Sequence, residues 1–303
     1  MDLQRSALWP RPLTPDDRWQ LLDAIYTDPR TYYYPGWGSL PEWLAQGLGW
    51  GLMSDAVLVA ALVAVPETDT WAWLRLFTAR AEVPQDLAWR LLWRAAAPTL
   101  HAAGITHVAG LGGRTWVDRF FRQRGFQAET ALRLLLWRAA PLPDAVTPPA
   151  GVRITRLASG EVEAATAVDR AAFGPAWRLR REIVQRACAQ ARLALAARAS
   201  SGDLLGYALF TPSPQGAHLA RLAVHPQWQG RGVGRALVAA GLLQLHAEDP
   251  GLWISVNTQS NNAPALRLYD RLGFVAQDPD VPVWVGRLPV APTFAPTAAL
   301  ARG

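Results

Sequence analysis

The chain has 303 residues, of which 50% are hydrophobic, so it can bury a large core and is expected to form two domains of about 150 residues. Its net charge of +6 comes from arginines dispersed among acidic residues, with no lysine, which disfavours nucleic-acid binding. The longest apolar run, Ala56 to Val65, is too short to span a membrane, and a single cysteine, Cys188, excludes an internal disulfide. We therefore expect a globular cytoplasmic protein without a nucleic-acid or membrane partner.

The two halves of the sequence repeat the same features in the same order. Near each start, a short strand candidate leads into an amphipathic helix, at Asp16 to Tyr26 and at Gly160 to Phe173. Further on, WAWLRLFT (71–78) corresponds to AHLARLAV (217–224), and WVDRFFRQRGF (116–126) to ALRLYDRLGF (265–274). The repeated offset of about 146 residues predicts a tandem duplication.

A proline-rich stretch, APLPDAVTPPAG, separates the two copies. Its four prolines disfavour both helix and sheet and predict an extended connector. We therefore predict a first domain at 1–140, a linker at 141–151, a second domain at 152–288 and a flexible tail at 289–303.

The second half predicts its own strand order. The segments RLALAAR, LLGYALFTP and HLARLAV are joined by short turns, which forces antiparallel neighbours. A helix from about Val233 to Glu248 and the strand LWISVN follow, and this crossover requires a parallel pair. The predicted class is α+β, with two tandem domains that each have a mixed, mainly antiparallel sheet flanked by helices.

Three glycines, Gly230, Gly232 and Gly234, alternate around the start of the helix at 233–248, in VHPQWQGRGVGRALVAAG (224–241). Free N–H groups at a helix start favour a phosphate or diphosphate, and glycine lets the ligand approach the backbone. A dinucleotide fingerprint would follow the first strand of a parallel sheet, whereas this loop follows an antiparallel meander. A Walker loop needs a lysine, and the chain has none.

Two linked motifs resemble those of the GNAT-type N-acetyltransferases. The first, Gln-x-x-Gly-x-Gly, follows RLAVHP, and the second is Asn-x-x-Ala-x-x-Leu-Tyr-x-x-x-Gly-Phe at 262–274. The resemblance covers about 152–288. The duplication adds a similarity to tandem members such as the mycothiol synthase-like proteins.

The resemblance implies that the second domain binds acetyl-CoA as its co-substrate. Main-chain groups of one strand would hold the pantetheine arm, where a bulge separates that strand from its neighbour. The loop would hold the diphosphate, with Arg231 or Arg235 adding charge, and Asn262, or its neighbour Asn261, would bond near the thioester. The implied cofactor-binding residues are Leu222, Ala223, Val224, Gln229, Gly230, Arg231, Gly232, Val233, Gly234, Arg235 and Asn262.

Two residues are candidates for the chemistry. Tyr269 matches the family's tyrosine and would protonate the departing thiolate; the alternative is an aromatic residue that packs on the inner face of a helix at Pro264 to Leu272. His218 stands where many relatives carry a glutamate and is a candidate general base, with a solvated histidine at a strand end or a water relay as alternatives. The backbone N–H of Val224 or Ala223 would stabilise the oxyanion.

Other chemistry-bearing residues have simpler interpretations. His225 and His246 are predicted to be structural, Cys188 to be a helix residue, and no spacing indicates a metal site. The segment containing Trp177, Arg178, Arg180 and Arg181 would line the acceptor side, where the arginines would favour an acidic or sugar-like acceptor; alternatively they lie on an exposed basic helix.

The first half departs from the family pattern. Its counterpart of the glycine loop, TARAEVPQDLAWRLL (78–92), has no glycine, and Phe120 or Phe121 replaces Tyr269. It therefore resembles a degenerate copy that shapes the acceptor cleft. The aromatic segment 30–51 is expected to pack between domains or to hold an acceptor.

The function that follows is acetyl transfer to an amine of a small molecule or a peptide. The alternative is a non-catalytic protein that binds or senses acetyl-CoA. An oligomer is compatible with either.

Overall fold

A computed structural model describes residues 7–138 and 146–288. The first part of the predicted linker, at 141–145, and the predicted tail at 289–303 lie outside the described residues. The elements of the first half are β1 (Leu8–Pro12), α1 (Arg18–Thr27), β2 (Tyr32–Tyr33), α2 (Leu40–Ala45), β3 (Gly49–Ser54), β4 (Val57–Pro66), β5 (Trp71–Ala79), α3 (Gln85–Ala102), β6 (His107–Leu111), α4 (Thr115–Gln123) and β7 (Gln127–Trp137).

The second half repeats this order, except that no described strand corresponds to β2. Its elements are β8 (Val152–Arg156), α5 (Val162–Ala172), α6 (Arg181–Gln190), β9 (Leu193–Ala199), β10 (Leu204–Ser213), β11 (Gly216–Val224), α7 (Val233–Glu248), β12 (Trp253–Gln259), α8 (Ala263–Arg271) and β13 (Val275–Arg287). The helix predicted at 233–248 has these bounds, because it begins at a glycine in the left-handed conformation and ends before the Asp-Pro-Gly turn.

All strands of the described residues belong to one sheet, which runs through both halves. The order is β1-β3-β4-β5-β6-β13-β7-β12-β11-β10-β9-β8, and β2 pairs with β5 beside this path. Pairing is antiparallel except at β5–β6 and β11–β12. The predicted α+β class with mixed, mainly antiparallel sheets and flanking helices is confirmed.

The two halves exchange their last strands. β7 comes from the first half but pairs with β12 of the second, with Trp137 opposite Ile254 and Leu132 opposite Gln259. β13 comes from the second half and pairs with β6 of the first, and β7 and β13 pair with each other in the middle of the sheet. The sheet is therefore continuous across the predicted domain boundary, and the division at 140–151 stays a prediction.

Apolar side chains fill both faces of the sheet. One cluster of the first half surrounds Leu62, Leu74 and Phe77, all fully buried, and one of the second half surrounds Leu237 and Phe210 under α7. Across residues 7–138 and 146–288, no helix has the length and apolarity needed to cross a membrane.

Candidate active site

The site lies where the parallel strands β11 and β12 separate. They pair only from Gly216 opposite Trp253 to Leu219 opposite Val256. β10 covers the other edge of β11 along its whole length, and the register shift between them leaves Ala220 as the extra residue of a β-bulge. From Ala220 to Val224, no described strand pairs with the edge that faces β12. The bulge and separation predicted for this strand are thus present.

The glycine loop continues directly from this open edge. Gly230 and Gly232 have φ of +72° and +88°, a region that a side chain disfavours, so glycine is required there by the backbone itself. Gly232 caps α7 without a side-chain hydrogen bond, so the first N–H groups of the helix stay available to an anion. Gln229 donates from Nε2 to the Val224 carbonyl at 2.9 Å and ties the loop to β11.

The corresponding slot in the first half is filled by the chain itself. β5 and β6 also separate, after Trp73 opposite Ala109, and β4 covers the other edge of β5. On the edge left open, β2 pairs with β5, placing Tyr32 opposite Phe77, and the Leu111 N–H donates to Tyr32 Oη at 2.9 Å. Part of the aromatic segment 30–51 thus occupies the place where the second half has its open edge.

A cavity of about 1370 Å³ connects the open edge of β11 with the first half. It is lined by most of the residues predicted for the site, which the fold therefore brings together. Those lining it are His218, Leu222, Val224, Gln229, Gly230, Gly232, Gly234, Arg235, Asn262 and Tyr269. Ala223 and Val233 are buried beside it, and Arg231 lies outside with its guanidinium 5.2 Å from the centre of the Trp228 ring.

Tyr269 lies on α8 with its ring packed against Phe274, at 5.4 Å between ring centres. The side chain is 4% exposed and also lines the cavity, so it packs in the core and can still contact a ligand. Burial raises the pKa of its hydroxyl, which therefore stays protonated through the neutral range.

His218 lies on β11 beside the last paired residues of β12. Its Nδ1 is 2.9 Å from Ser255 Oγ, and the residues are opposite each other in the sheet. Burial lowers the pKa of the imidazole to about 4, so the ring is neutral at pH 7. The ring is half-buried and hydrogen-bonded, which disfavours the alternative of a solvated histidine at a strand end.

Asn262 has a structural partner that the sequence did not reveal. Its Oδ1 accepts from the Ala265 N–H at 3.2 Å and caps α8, while Nδ2 donates to Thr258 Oγ1 at 3.3 Å. Its cofactor contact stays a prediction, as do those of the other loop residues.

A buried ion pair that sequence reasoning missed stands behind the cavity wall. Asp169, fully buried on α5, accepts two hydrogen bonds from Arg221 and one from Tyr207 Oη, each at 2.7 Å. It also accepts from the Leu179 N–H, and Arg221 donates to the Trp177 carbonyl. The network fixes the segment 173–180 against β11. The sequence feature that could have predicted this ion pair is Arg221, a charged residue within the otherwise mainly apolar strand β11.

The first half has a matching pair at the other end of the cavity. Arg75 is the extra residue of a β-bulge on β5, the position that Ala220 has on β11, one residue before Arg221. It forms an ion pair with Glu67, with both side chains buried. The Arg75 guanidinium lies 5.7 Å from the centre of the Tyr34 ring and 5.5 Å from that of Trp73. These residues line the same cavity, so the degenerate half does contribute to its wall.

The segment predicted to face the acceptor does so only in part. Trp177 lines the cavity and lies 5.7 Å from Trp73 between ring centres. Arg180 donates instead to carbonyls of Asp69 and Ala103, and Arg181 pairs with Glu163. Arg178, Arg180 and Arg181 are absent from the described lining, which favours the alternative of a basic segment outside the acceptor side.

The positions of His225, His246 and Cys188 are consistent with the structural roles predicted for them. His225 Nδ1 accepts from the Gln227 N–H at 3.4 Å, and His246 packs edge-on against Trp137. Burial raises the pKa of the Cys188 thiol, which disfavours a thiolate nucleophile. Among the described residues, no three metal-binding side chains cluster.

A mixed sheet with a separated parallel pair, a bulged strand and a glycine loop at the next helix defines the class of protein: a GNAT fold, present in two copies. Residues 162–274 match the model of the acetyltransferase (GNAT) family.

Sequence relatives and a solved structure extend the comparison. The chain is 48% identical over 61 residues to a mycothiol acetyltransferase of Nocardiopsis dassonvillei, covering 20% of this chain and 18% of that protein. It is 36% identical over 166 residues to that of Thermomonospora curvata, covering 50% and 54%. The matches thus span at most about half of these relatives. The structure of a tandem GNAT protein from the clavulanic acid biosynthesis pathway shares the fold, with 18% identity, a TM-score of 0.62 and coverage of 94% and 100%.

Proposed function

We propose that this chain transfers an acetyl group from acetyl-CoA to an amine of a small molecule or a peptide. The observation that carries the proposal is the unpaired edge of β11 from Ala220 to Val224, which leads directly into the free amides at the start of α7. The names of the curated relatives, mycothiol acetyltransferases, support an acetyl donor. The cytoplasmic location predicted from composition stays a prediction.

The second half offers two kinds of contact to the donor. The edge of β11 at Leu222, Ala223 and Val224 can accept an extended amide-containing arm as an added strand. The loop from Gln229 to Arg235 can hold the diphosphate through N–H groups at the positive end of the α7 dipole. The thioester supplies an activated acetyl group once the donor is bound.

The acceptor amine must lose a proton before it attacks. With a pKa of about 10.4, an alkylammonium costs about 4 to 5 kcal/mol to deprotonate at pH 7. His218 is neutral and can accept a hydrogen bond through its second ring nitrogen, but its pKa of about 4 makes it a weak base. We therefore assign it to orienting the amine or a water that relays the proton.

Tyr269 is assigned to the departing thiolate. Its phenol is protonated and lines the cavity, and no described residue is hydrogen-bonded to its hydroxyl. Because a thiol has a pKa of about 8.5, below that of this phenol, full proton transfer to a free thiolate is uphill. The hydroxyl therefore acts mainly by donating a hydrogen bond as the carbon–sulfur bond breaks.

Steady release of CoA thiol from acetyl-CoA, measured with a library of amines, tests the proposal. Tyr269→Phe should lower kcat by about a hundredfold or more while leaving CoA binding unchanged. Tyr26→Phe is the matched control, since Tyr26 is 83% exposed and lies away from the cavity. Equal loss in both variants would contradict the assignment.

A second candidate function is a protein that binds acetyl-CoA without using it. The weak basicity of His218 favours this alternative, because no stronger base has been assigned at the thioester end. A sensor of this kind would bind acetyl-CoA in calorimetry and release no thiol with any amine. Turnover with an amine would exclude it.

A further inference from the structure

A second, smaller cavity of about 210 Å³ opens beside the first and shares Trp73 and Trp177 with it. Three tryptophans, Trp71, Trp73 and Trp177, form its walls, together with valines of β13. Its polar rim includes Glu129 on β7 and Gln259 at the end of β12. The cavity is smaller than the roughly 300–1,000 Å³ of a drug-sized site, so it fits one small substituent.

The indoles are held by neighbours on both halves. Trp71 stacks on His107 with 4.7 Å between ring centres and 12° between ring planes. Trp73 and Trp177 meet at 54° with 5.7 Å between ring centres, which forms a corner rather than a flat stack. Fixed aromatic walls of this kind attract cations through their negative faces.

A β-bulge places Glu129 at this cavity. Along the β13–β7 ladder, Val283 is opposite Thr130 and Trp284 is opposite Ala128, which leaves Glu129 as the extra residue. A bulge of this kind redirects a side chain that regular pleating would point elsewhere. Glu129 is exposed and has no ion-pair partner among the described residues, so its negative charge is available to a ligand.

The charges around the cavity favour a cation. Although the chain has many arginines, the described lining contains none. Arg75 lies 5.5 Å from the Trp73 ring centre, but its charge is balanced by Glu67. The net charge left at the cavity is that of Glu129.

We propose that the Trp71–Trp73–Trp177 corner with Glu129 binds an alkylammonium group. This proposal rests on the proposed function and specifies its acceptor, which is an amine with a second cationic group. The tryptophan corner and Glu129, together called the cage, hold that second group while the reacting amine faces β11. Acceptors bearing a carboxylate or phosphate at that position are disfavoured.

Saturation-transfer NMR on the full chain tests the cage directly, with tetramethylammonium chloride as the probe and tert-butanol as the neutral probe of similar shape. Ionic strength is held constant with sodium chloride. Tetramethylammonium should bind, tert-butanol should bind about tenfold more weakly, and Glu129→Gln should weaken the cation by about tenfold. Trp71→Leu should reduce binding as well. Glu82→Gln is the matched control, because Glu82 is exposed and lines neither cavity.

The proposal would be overturned if the two probes bound with equal affinity. It would also be overturned if Glu129→Gln bound tetramethylammonium as tightly as the unchanged protein. The measurement needs no turnover, so its failure is separate from a failure of acetyl transfer, which thiol release reports. If amines are turned over, putrescine should have a lower KM than aminobutanol. Glu129→Gln should remove that difference, whereas a preference that persists in this variant would contradict the proposed site.

Discussion

Gly232→Ala tests whether the amides at the start of α7 hold the donor's diphosphate. Gly232 has a φ of +88°, and a Cβ there would lie 3.8 Å from Pro149 Cγ, an ordinary contact. The substitution therefore costs backbone strain, about 1–2 kcal/mol for an L residue in the left-handed region. If the loop relaxes, the N–H groups turn from the ligand. Since 1.4 kcal/mol is tenfold, the Kd for CoA should rise about five- to thirtyfold.

Calorimetric titration of CoA measures this change, with thermal unfolding recorded on the same samples. Gly202→Ala is the matched control: Gly202 has a φ of +98°, a Cβ there would meet nothing within 4 Å, and it lies in the turn between β9 and β10. Both variants should lose similar stability, and only Gly232→Ala should lose CoA affinity. If Gly202→Ala loses as much affinity, or Gly232→Ala binds like the unchanged chain, the amides of this loop do not hold the diphosphate.

Two further predictions concern the titration of His218 and the buried ion pair. Because burial lowers the pKa of His218 to about 4 while the unfolded chain takes up that proton near pH 6.5, the free energy of unfolding should fall as the pH drops from about 7 toward 4. Histidine NMR and urea unfolding should show this, with a smaller fall in His218→Gln; an imidazole titrating near pH 6.5 would contradict it. Asp169→Asn should lower the free energy of unfolding by about 3–5 kcal/mol, because it leaves Arg221 buried without a counter-charge. The control is Asp69→Asn in the exposed Asp69–Arg170 pair, which should lower the free energy of unfolding by only about 0–1 kcal/mol. Equal losses for the two variants in urea unfolding would refute the difference between the buried and the exposed pair.

Local features of the site could be predicted because short-range chemistry determines them. The alternating glycines fix the left-handed start of α7, and the three strands joined by short turns fix an antiparallel meander. The duplication then predicted the same order of elements in the first half. These inferences need only neighbouring residues and a repeat, and the sequence contains both.

Pairings between distant segments could not be predicted in this way. Nothing near β7 or β13 states that each pairs with the other half, because both strands are largely exposed or half-buried and carry no sustained apolar pattern that would specify a partner. The pairing of β2 with β5 is similar: a two-residue strand carries no periodic signal. The arginines were the missed clue, because Arg75 lies in the bulge of β5 and Arg221 directly follows the bulge of β11, and a buried guanidinium requires a carboxylate nearby.

The exchanged strands and the pairing of β2 with β5 together explain how the degenerate first half contributes to the site. In the first half, β2 supplies to β5 the backbone partners that an extended ligand would otherwise supply, so the edge is satisfied without a donor. In the second half, the equivalent edge of β11 keeps its hydrogen-bonding groups for a ligand. Because β7 and β13 each pair with the opposite copy and with each other, separating the halves would break three ladders in the centre of the sheet. The cavity wall that contains Trp73 and Arg75 is therefore held in a fixed position relative to β11, as the recognition of an acceptor requires.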